Sequence, residues 1–279
     1  MLSIITTIHN GLAVNKIFYR FLKKYTGLPF ELIVIDNVSS DGSAEFFERQ
    51  NAIIIRNKKN YSYPYCQNQG IQKAKYDWLV FMNNDIILPP HWDKHLLETA
   101  EKNNLTVLTA CGIERTETPG TTSYFTRKWK RIKNPLSVFG YSEKNLLRMH
   151  RWMYGDWEKF SENRWKQFGT KVIEGFIGNT VMMHRSAIEK IGLWDERIQG
   201  ADFDLYMRTK ERQKNYGDIR PVHIALGIFI HHFIRITVKS KPVPFADAAN
   251  LISLEEKWGK EKIRNYLKDM NDPRNVIDK

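Results

Sequence analysis

The chain has 279 residues, 42% of them hydrophobic and 13% aromatic, which suits a folded body with a sizeable core and excludes a disordered chain. Lys and Arg number 43 against 31 Asp and Glu, a formal charge of +12, so the favoured partners are anionic: a phosphorylated substrate, anionic lipid or nucleic acid. The two cysteines, Cys66 and Cys111, form no CxxC pattern, which speaks against a disulfide framework or a Cys-based zinc site and makes each a small apolar core residue.

Residues 2–8 read as a buried strand, and Val14, Ile17, Phe18, Phe21, Leu22 and Tyr25 follow at helical spacing. Strands are predicted again over 30–35, 52–55 and 78–82, with a short helix after residues 40–43 and another near 67–75. Alternating strands and helices with short links imply βαβ units and a parallel sheet covered on both faces. Ligands of such sheets bind beyond the carboxyl ends of the strands. Three polar clusters fall there: Thr7 to Gly11, Asp36 to Ser43, and Asn83-Asn84-Asp85. None contains the glycine pattern of a dinucleotide fold or a P-loop.

Residues 113–170 form a segment rich in Trp, Tyr, Phe, Lys and Arg. Within it Leu146, Met149, Met153, Trp157 and Phe160 recur at steps of three or four, one apolar helical face. Its basic and aromatic residues suit a solvated helix packed on the body, an interfacial helix on anionic lipid, or contact with an anionic glycan or nucleic acid. Strands return over 171–176 and 180–183, helices from Ser186 and near Ala201, and a strand over 227–230 runs into His231-His232. After Pro244 two amphipathic helices are expected, with Leu251, Leu254 and Trp258 on one buried face. The N-terminus lacks the basic region and cleavage site of a signal peptide. Residues 224–230 are far shorter than the roughly 20 needed to span a bilayer. The expected location is the cytoplasm, or the cytoplasmic face of a membrane.

In this order the motifs resemble a known family. The run from Ser3 to Asn10, then Val34-Ile-Asp-Asn-Val-Ser-Ser-Asp-Gly-Ser43, resembles the opening of family-2 inverting glycosyltransferases, in the rhamnosyltransferase-like group. The likeness continues through Asn60 to Gly70 and Phe81-Met-Asn-Asn-Asp-Ile86, at the place of the family's DxD-type motif. It returns at Gly192-Leu-Trp-Asp-Glu-Arg197 and Gly200-Ala-Asp-Phe-Asp-Leu-Tyr-Met-Arg208. It implies a GT-A fold: an α/β domain with a mostly parallel central sheet flanked by helices and a helical C-terminal tail. The nucleotide-sugar half would span 1–112, the variable basic aromatic segment 113–170, the acceptor half 171–240 and the tail 241–279.

The resemblance also implies roles. Asp36 would accept hydrogen bonds from the base of the nucleotide, with Thr7, Asn10, Asn68, Asn83 and Asn84 as further donor contacts; an Asx-turn is the rival reading of Asp36. Ser39, Ser40 and Asp41 read as caps. Asp85 would hold Mn²⁺ or Mg²⁺, since a cation on a diphosphate needs only one or two protein carboxylates. His232, or His231 as the alternate, would assist it; neighbouring strand residues point to opposite faces, so only one can. Asp202 would be the general base, with Trp194 and Asp204 on the acceptor side and Asp204 also suited to bracing its helix. Arg208 and Arg235 read mainly as surface charge. The sequence departs from the family pattern at Asn83, where the first Asp of the motif is expected, and at Ala201, where a Glu is expected.

The implied reaction is transfer of a hexosyl or deoxyhexosyl unit from a UDP-, dTDP- or GDP-sugar to a glycan or lipid-linked glycan, with an anionic membrane as a peripheral contact. Three rivals stand beside it. A nucleotidyltransferase lacks its glycine-rich basic loop here. An inactive donor-binding homologue is motivated by Asn83 and Ala201. A nucleic-acid-binding protein would use the basic middle segment.

Overall fold

The computed structural model describes residues 1–234, 244–270 and the backbone of the short strand at 276–277. Arg235 lies outside the described residues. Strands β1 (Leu2–Ile8), β2 (Phe30–Asp36), β3 (Ile53–Arg56) and β4 (Trp78–Asn83) pair in parallel in the order β3-β2-β1-β4. β1 is buried along almost its whole length, the mark of a strand covered on both faces. On one face lie helices α1 (Leu12–Tyr25) and α2 (Ser43–Glu48), with Phe18, Leu22 and Phe47 in the same core as Leu2, Ile4 and Val34. On the other lies α3 (Tyr63–Lys73), which starts a turn earlier than predicted, with Pro64 in its first turn. A Cβ at Gly70 would come within 2.3 Å of Ile5 Cγ2, so α3 approaches β1 as only glycine permits.

Beyond β4 the sheet becomes mixed. The two-residue strand β5 (Ile86–Ile87) and helix α4 (Trp92–Lys102) lead to β6 (Val107–Gly112), a buried strand between the predicted ones. The basic segment is helical: α5 (Pro119–Leu136), α6 (Glu143–Tyr154) and α7 (Trp157–Phe168). The single apolar face expected from Leu146 to Phe160 belongs to two helices, because Gly155 closes α6 at φ 70° and the Asp156 side chain caps α7. Leu146, Met149, Met153 and Trp157 nevertheless enter one core, with Phe160 against it.

Strands β7 (Val172–Glu174) and β8 (Thr180–His184), helices α8 (Arg185–Ile191) and α9 (Ala201–Tyr216), and β9 (His223–His232) complete the body. β8 is antiparallel to β4 and β6, while β9 is parallel to β6 and antiparallel to β7. A register shift between Ala110 and Cys111 marks a bulge in β9 opposite them. Past it, β9 pairs with β5, setting His232 opposite Ile86. The tail helices α10 (Leu254–Trp258) and α11 (Lys260–Asp269) follow, and β10 (Val276–Ile277) pairs with β7. Leu251, Leu254 and Trp258 are half-buried. Both cysteines are buried and free, as expected. Among the described residues no helix is long and apolar enough to cross a membrane.

Candidate active site

The carboxyl ends of β1, β2 and β4 bring the predicted polar clusters together. Asn10 adopts φ 60°; its N–H donates to Ser39 Oγ at 2.8 Å and its side-chain oxygen accepts from Ser40 N–H at 2.8 Å. Asp41 accepts from the backbone N–H of Ser43 at 3.1 Å and of Leu12 at 2.8 Å, closing the starts of α2 and α1. Asp36, buried, accepts from Ser39 N–H at 2.9 Å through Oδ1, an Asx-turn. Its Oδ2 has the guanidinium of Arg56 at 3.9 Å. Thr7 accepts from Gln67 at 3.3 Å, and Asn84 donates to Asn15 at 2.7 Å.

Next to this edge, a cavity of about 550 Å³ opens between β4, the loop after β6, the turn before β8 and the start of α9; Asn83, Glu114, Arg115, Asn179, Asp202 and His232 line it. A larger cavity, about 970 Å³, lies between the end of α1, the start of α4 and α7. Asn83, Asp202 and His232 line the smaller cavity and none of them reaches the larger, so the smaller cavity is where the chemistry gathers.

Glu114 and His232 in its lining belong to an ordered row that continues to Asp85 behind them. Asp85 Oδ1 lies 3.1 Å from His232 Nε2, and Glu114 hydrogen-bonds His232 Nδ1. Burial opposes charge on the imidazole, but the two carboxylates outweigh it and hold its pKa up to about 10. Of the histidine pair, His231 points the other way, as strand alternation requires. It is fully buried, hydrogen-bonded to the Tyr154 hydroxyl at 2.9 Å and ringed by Trp129, His150 and Phe233. His231 is therefore unavailable to a ligand in the cavity.

Asp202, in the first turn of α9, also lines the cavity. Burial pushes its carboxyl pKa up, against a hydrogen bond from Phe203 N–H at 3.0 Å. A Cβ at Gly178 would sit 2.6 Å from Asp202 Oδ2, so the loop before β8 needs glycine to meet this carboxylate.

Three expected contacts are corrected. Asp204 does not face the cavity. It is 1% exposed and fully engaged: Arg208 Nε at 2.8 Å on Oδ2, Lys257 Nζ at 2.6 Å and Trp258 Nε1 at 2.8 Å on Oδ1. It ties α9 to α10, leaving nothing for an acceptor. Asn68 is also spent, donating to Trp194 O and Glu196 Oε1, both at 2.9 Å, and accepting from Trp194 N–H at 3.1 Å. It pins the loop before α9 rather than reaching a donor. Trp194 lines the cavity but is 4% exposed, edge-on to Phe81 and Tyr63, so it offers no open stacking face. Arg208 is likewise no surface charge: besides Asp204, it donates to the carbonyls of Ile191 and Leu193 at 2.7 and 2.9 Å.

Glu114, Arg115 and Asn179 were missed. Glu114 and Arg115 directly follow the unpredicted β6, so the strand-end rule would have singled them out had residues 107–112 been read as a strand. Asn179 turns a side-chain oxygen inward with no hydrogen-bond partner, and its amide donates to Glu114 at 3.3 Å.

The donor set bears on a cation. Among the described residues no group of three or more His, Cys, Asp and Glu side chains is arranged to hold a metal ion. The residues suit instead a cation shared with a diphosphate. Two cis ligands at about 2.1 Å from an octahedral ion stand about 3.0 Å apart, and Asp85 Oδ1 and His232 Nε2 are separated by 3.1 Å.

Comparison with known proteins identifies the family and the fold. Residues 3–192 match the family model described as glycosyl transferase family 2. The chain is 30% identical over 104 residues to an uncharacterized glycosyltransferase of Haemophilus influenzae, covering 37% of this chain and 35% of that protein. It is 24% identical over 222 residues to the O-antigen chain rhamnosyltransferase WbaN of Salmonella anatum, covering 76% of this chain and 61% of that protein. Among solved structures, GalNAc-T7 with UDP, GalNAc and Mn²⁺ is similar in fold, with a TM-score of 0.53 and 14% identity over 83% of this chain and 43% of that one. The fold is of the GT-A kind, and the chain belongs to glycosyl transferase family 2.

Proposed function

We propose that the protein transfers a sugar from a nucleotide-sugar donor to an acceptor hydroxyl, with inversion at the anomeric carbon and with help from Mn²⁺ or Mg²⁺. The observation that carries this reading is one cavity shared by a buried carboxylate and a polar cluster. Asp202, whose proton affinity is raised by burial, lines it together with Asn83, Glu114 and His232. A base on one side and a diphosphate site on the other are what in-line displacement needs.

Asp85 and His232 would hold the cation, which would take the place of the proton on His232 Nε2, and Glu114 on the far ring nitrogen would fix the orientation of the imidazole. When bound, the cation neutralises charge on the departing nucleoside diphosphate. Arg115, whose pKa burial lowers, adds a fixed cation to the same cavity. Asn83 contributes a neutral amide where the family pattern has a carboxylate, which leaves the charge work to Asp85. Asp36 would receive the nucleotide base at the end of β2, with Thr7, Asn10 and Asn84 beside it. We assign the donor to residues 1–112 and the acceptor to 171–240. Ionised Asp202 would take the proton of the acceptor hydroxyl as that oxygen attacks.

The relatives support the choice of substrates. One is named for rhamnose transfer to an O-antigen chain, and the structure similar in fold was solved with UDP and Mn²⁺. We therefore propose a UDP-, dTDP- or GDP-sugar as donor and a glycan or lipid-linked glycan as acceptor. The test is a panel of these donors with Mn²⁺, reading nucleoside diphosphate release and the anomeric configuration of the product by NMR. Release that depends on acceptor and gives inverted product is expected; retained configuration would overturn the assignment of Asp202 as base.

A further inference from the structure

We propose that the outward surface of α5 and α6, with the turn between them, docks on an anionic phospholipid membrane. Both helices bury one face in a common core, α5 through Phe125, Trp129 and Leu136 and α6 through Leu146, Met149 and Met153. Their outward faces are basic and aromatic. On α5, Tyr124, Arg127, Arg131 and Val138, just past its end, recur at steps of three, four and seven and are exposed, with Lys130 alongside. On α6, Lys144, Arg148 and Trp152 recur at steps of four and are exposed, with Arg151 beside them.

The turn between the helices carries the apolar tip. Val138 is 83% and Phe139 70% exposed, on a short helical turn closed by Gly140. Trp152 is 58% and Tyr124 54% exposed. Four of the nine large exposed apolar side chains among the described residues thus sit on these two helices and their turn.

The charge chooses the occupant. Arg127, Lys130, Arg131, Lys144, Arg148 and Arg151 have no carboxylate partner among the described residues. The one acidic residue from 119 to 154, Glu143, is engaged by Lys16 and Arg20. An anionic lipid surface answers both features: headgroups for the unpaired cations, and an interface for Val138, Phe139, Trp152 and Tyr124. Nucleic acid would use the cations but has no need of an aliphatic tip. The proposal stands apart from the transferase reading, since no step of it requires turnover.

The test is co-sedimentation of the full chain with vesicles of phosphatidylcholine alone and of phosphatidylcholine with phosphatidylglycerol, at low and high salt. Binding to the anionic vesicles alone, weakened by salt, is expected. Val138→Asp with Phe139→Asp, and separately Arg127→Glu with Arg131→Glu and Arg148→Glu, should each weaken binding at least tenfold. These side chains are exposed, so an unchanged melting temperature shows that the fold is intact. Equal binding to both vesicle types, no binding to either, or unchanged binding by folded variants would overturn the proposal. So would tighter binding to an RNA or DNA oligonucleotide that the tip variant leaves unaffected.

Discussion

Asp85 Oδ1 lies 3.1 Å from His232 Nε2, across the junction where β5 pairs with the end of β9. The backbone register that sets Ile86 opposite His232 makes the contact, and Glu114 then fixes the ring from its other side. Removing Asp85 should remove the cation site, whereas Glu114→Gln should only loosen it. Titration of Mn²⁺ into protein with a nucleoside diphosphate should show no metal-dependent binding for Asp85→Ala. For Glu114→Gln, Mn²⁺ affinity should fall about 10- to 100-fold. Unchanged Mn²⁺ affinity in both variants would refute the site.

The base assignment separates binding from turnover. Asp202→Asn keeps the shape of the side chain and removes its basicity, so kcat should fall by about 10²–10⁴-fold with donor affinity unchanged. Gly178→Ala forces a methyl group to within 2.6 Å of Asp202 Oδ2. It should also lower kcat, less severely, by displacing the same carboxylate. Steady-state kinetics beside donor titrations distinguish this from a fold defect, which would lower both.

Asp204 makes a stability prediction. Asp204→Ala leaves Arg208 without its buried carboxylate and Lys257 with Asp195 alone, and removing one member of a buried pair costs about 3–5 kcal/mol. Denaturant unfolding should show the loss. Since Trp258 also bonds Asp204, limited proteolysis should cut the α10–α11 tail sooner in the variant.

The parallel half of the fold was legible because β1, β2 and β4 are short, mainly apolar runs ending in polar clusters. Their ends led directly to Asp36, Asn83 and Asp85. The alternation rule separated His232 from His231 in principle, but only the tertiary pairing of β9 with β5 selects which one meets Asp85. β6 was passed over because its run, Val107-Leu-Thr-Ala-Cys-Gly112, has no alternation and sets small and polar residues among the apolar ones; Glu114 and Arg115 were lost with it. Asp204 and Asn68 sit in motifs that look catalytic in one dimension. Their partners, Lys257 and Trp258 for one and the Trp194–Glu196 loop for the other, are distant in sequence, so bracing was invisible. The split between α6 and α7 was written in Gly155-Asp156, a C-cap followed by an N-cap inside one apolar periodicity.

Acid should weaken the fold through a buried histidine. His150 packs against Phe21, Tyr154, Trp157 and His231, and burial pulls its pKa down to about 3. The unfolded chain takes up this proton below about pH 6.5 while the folded chain does not. Stability is therefore complete above pH 6.5 and declines as pH falls toward 3, by on the order of 2 kcal/mol at pH 5. His150→Phe keeps the aromatic contacts and removes the titration. Melting temperatures from pH 7 to pH 5 should fall less steeply in the variant than in the parent chain.

At the centre of the proposed reaction is a nucleoside diphosphate held together with a cation at Asp85 and His232. Its most direct test is thermal stability with UDP, dTDP, GDP and CMP, each with Mn²⁺ and with EDTA, for the parent chain and Asp85→Ala. A ligand at 100 times its Kd adds about 2.7 kcal/mol to the folded state. One of UDP, dTDP or GDP is expected to raise the melting temperature with Mn²⁺, and EDTA or Asp85→Ala to abolish the rise. No rise with any nucleotide, or the same rise in EDTA and in Asp85→Ala, would contradict it.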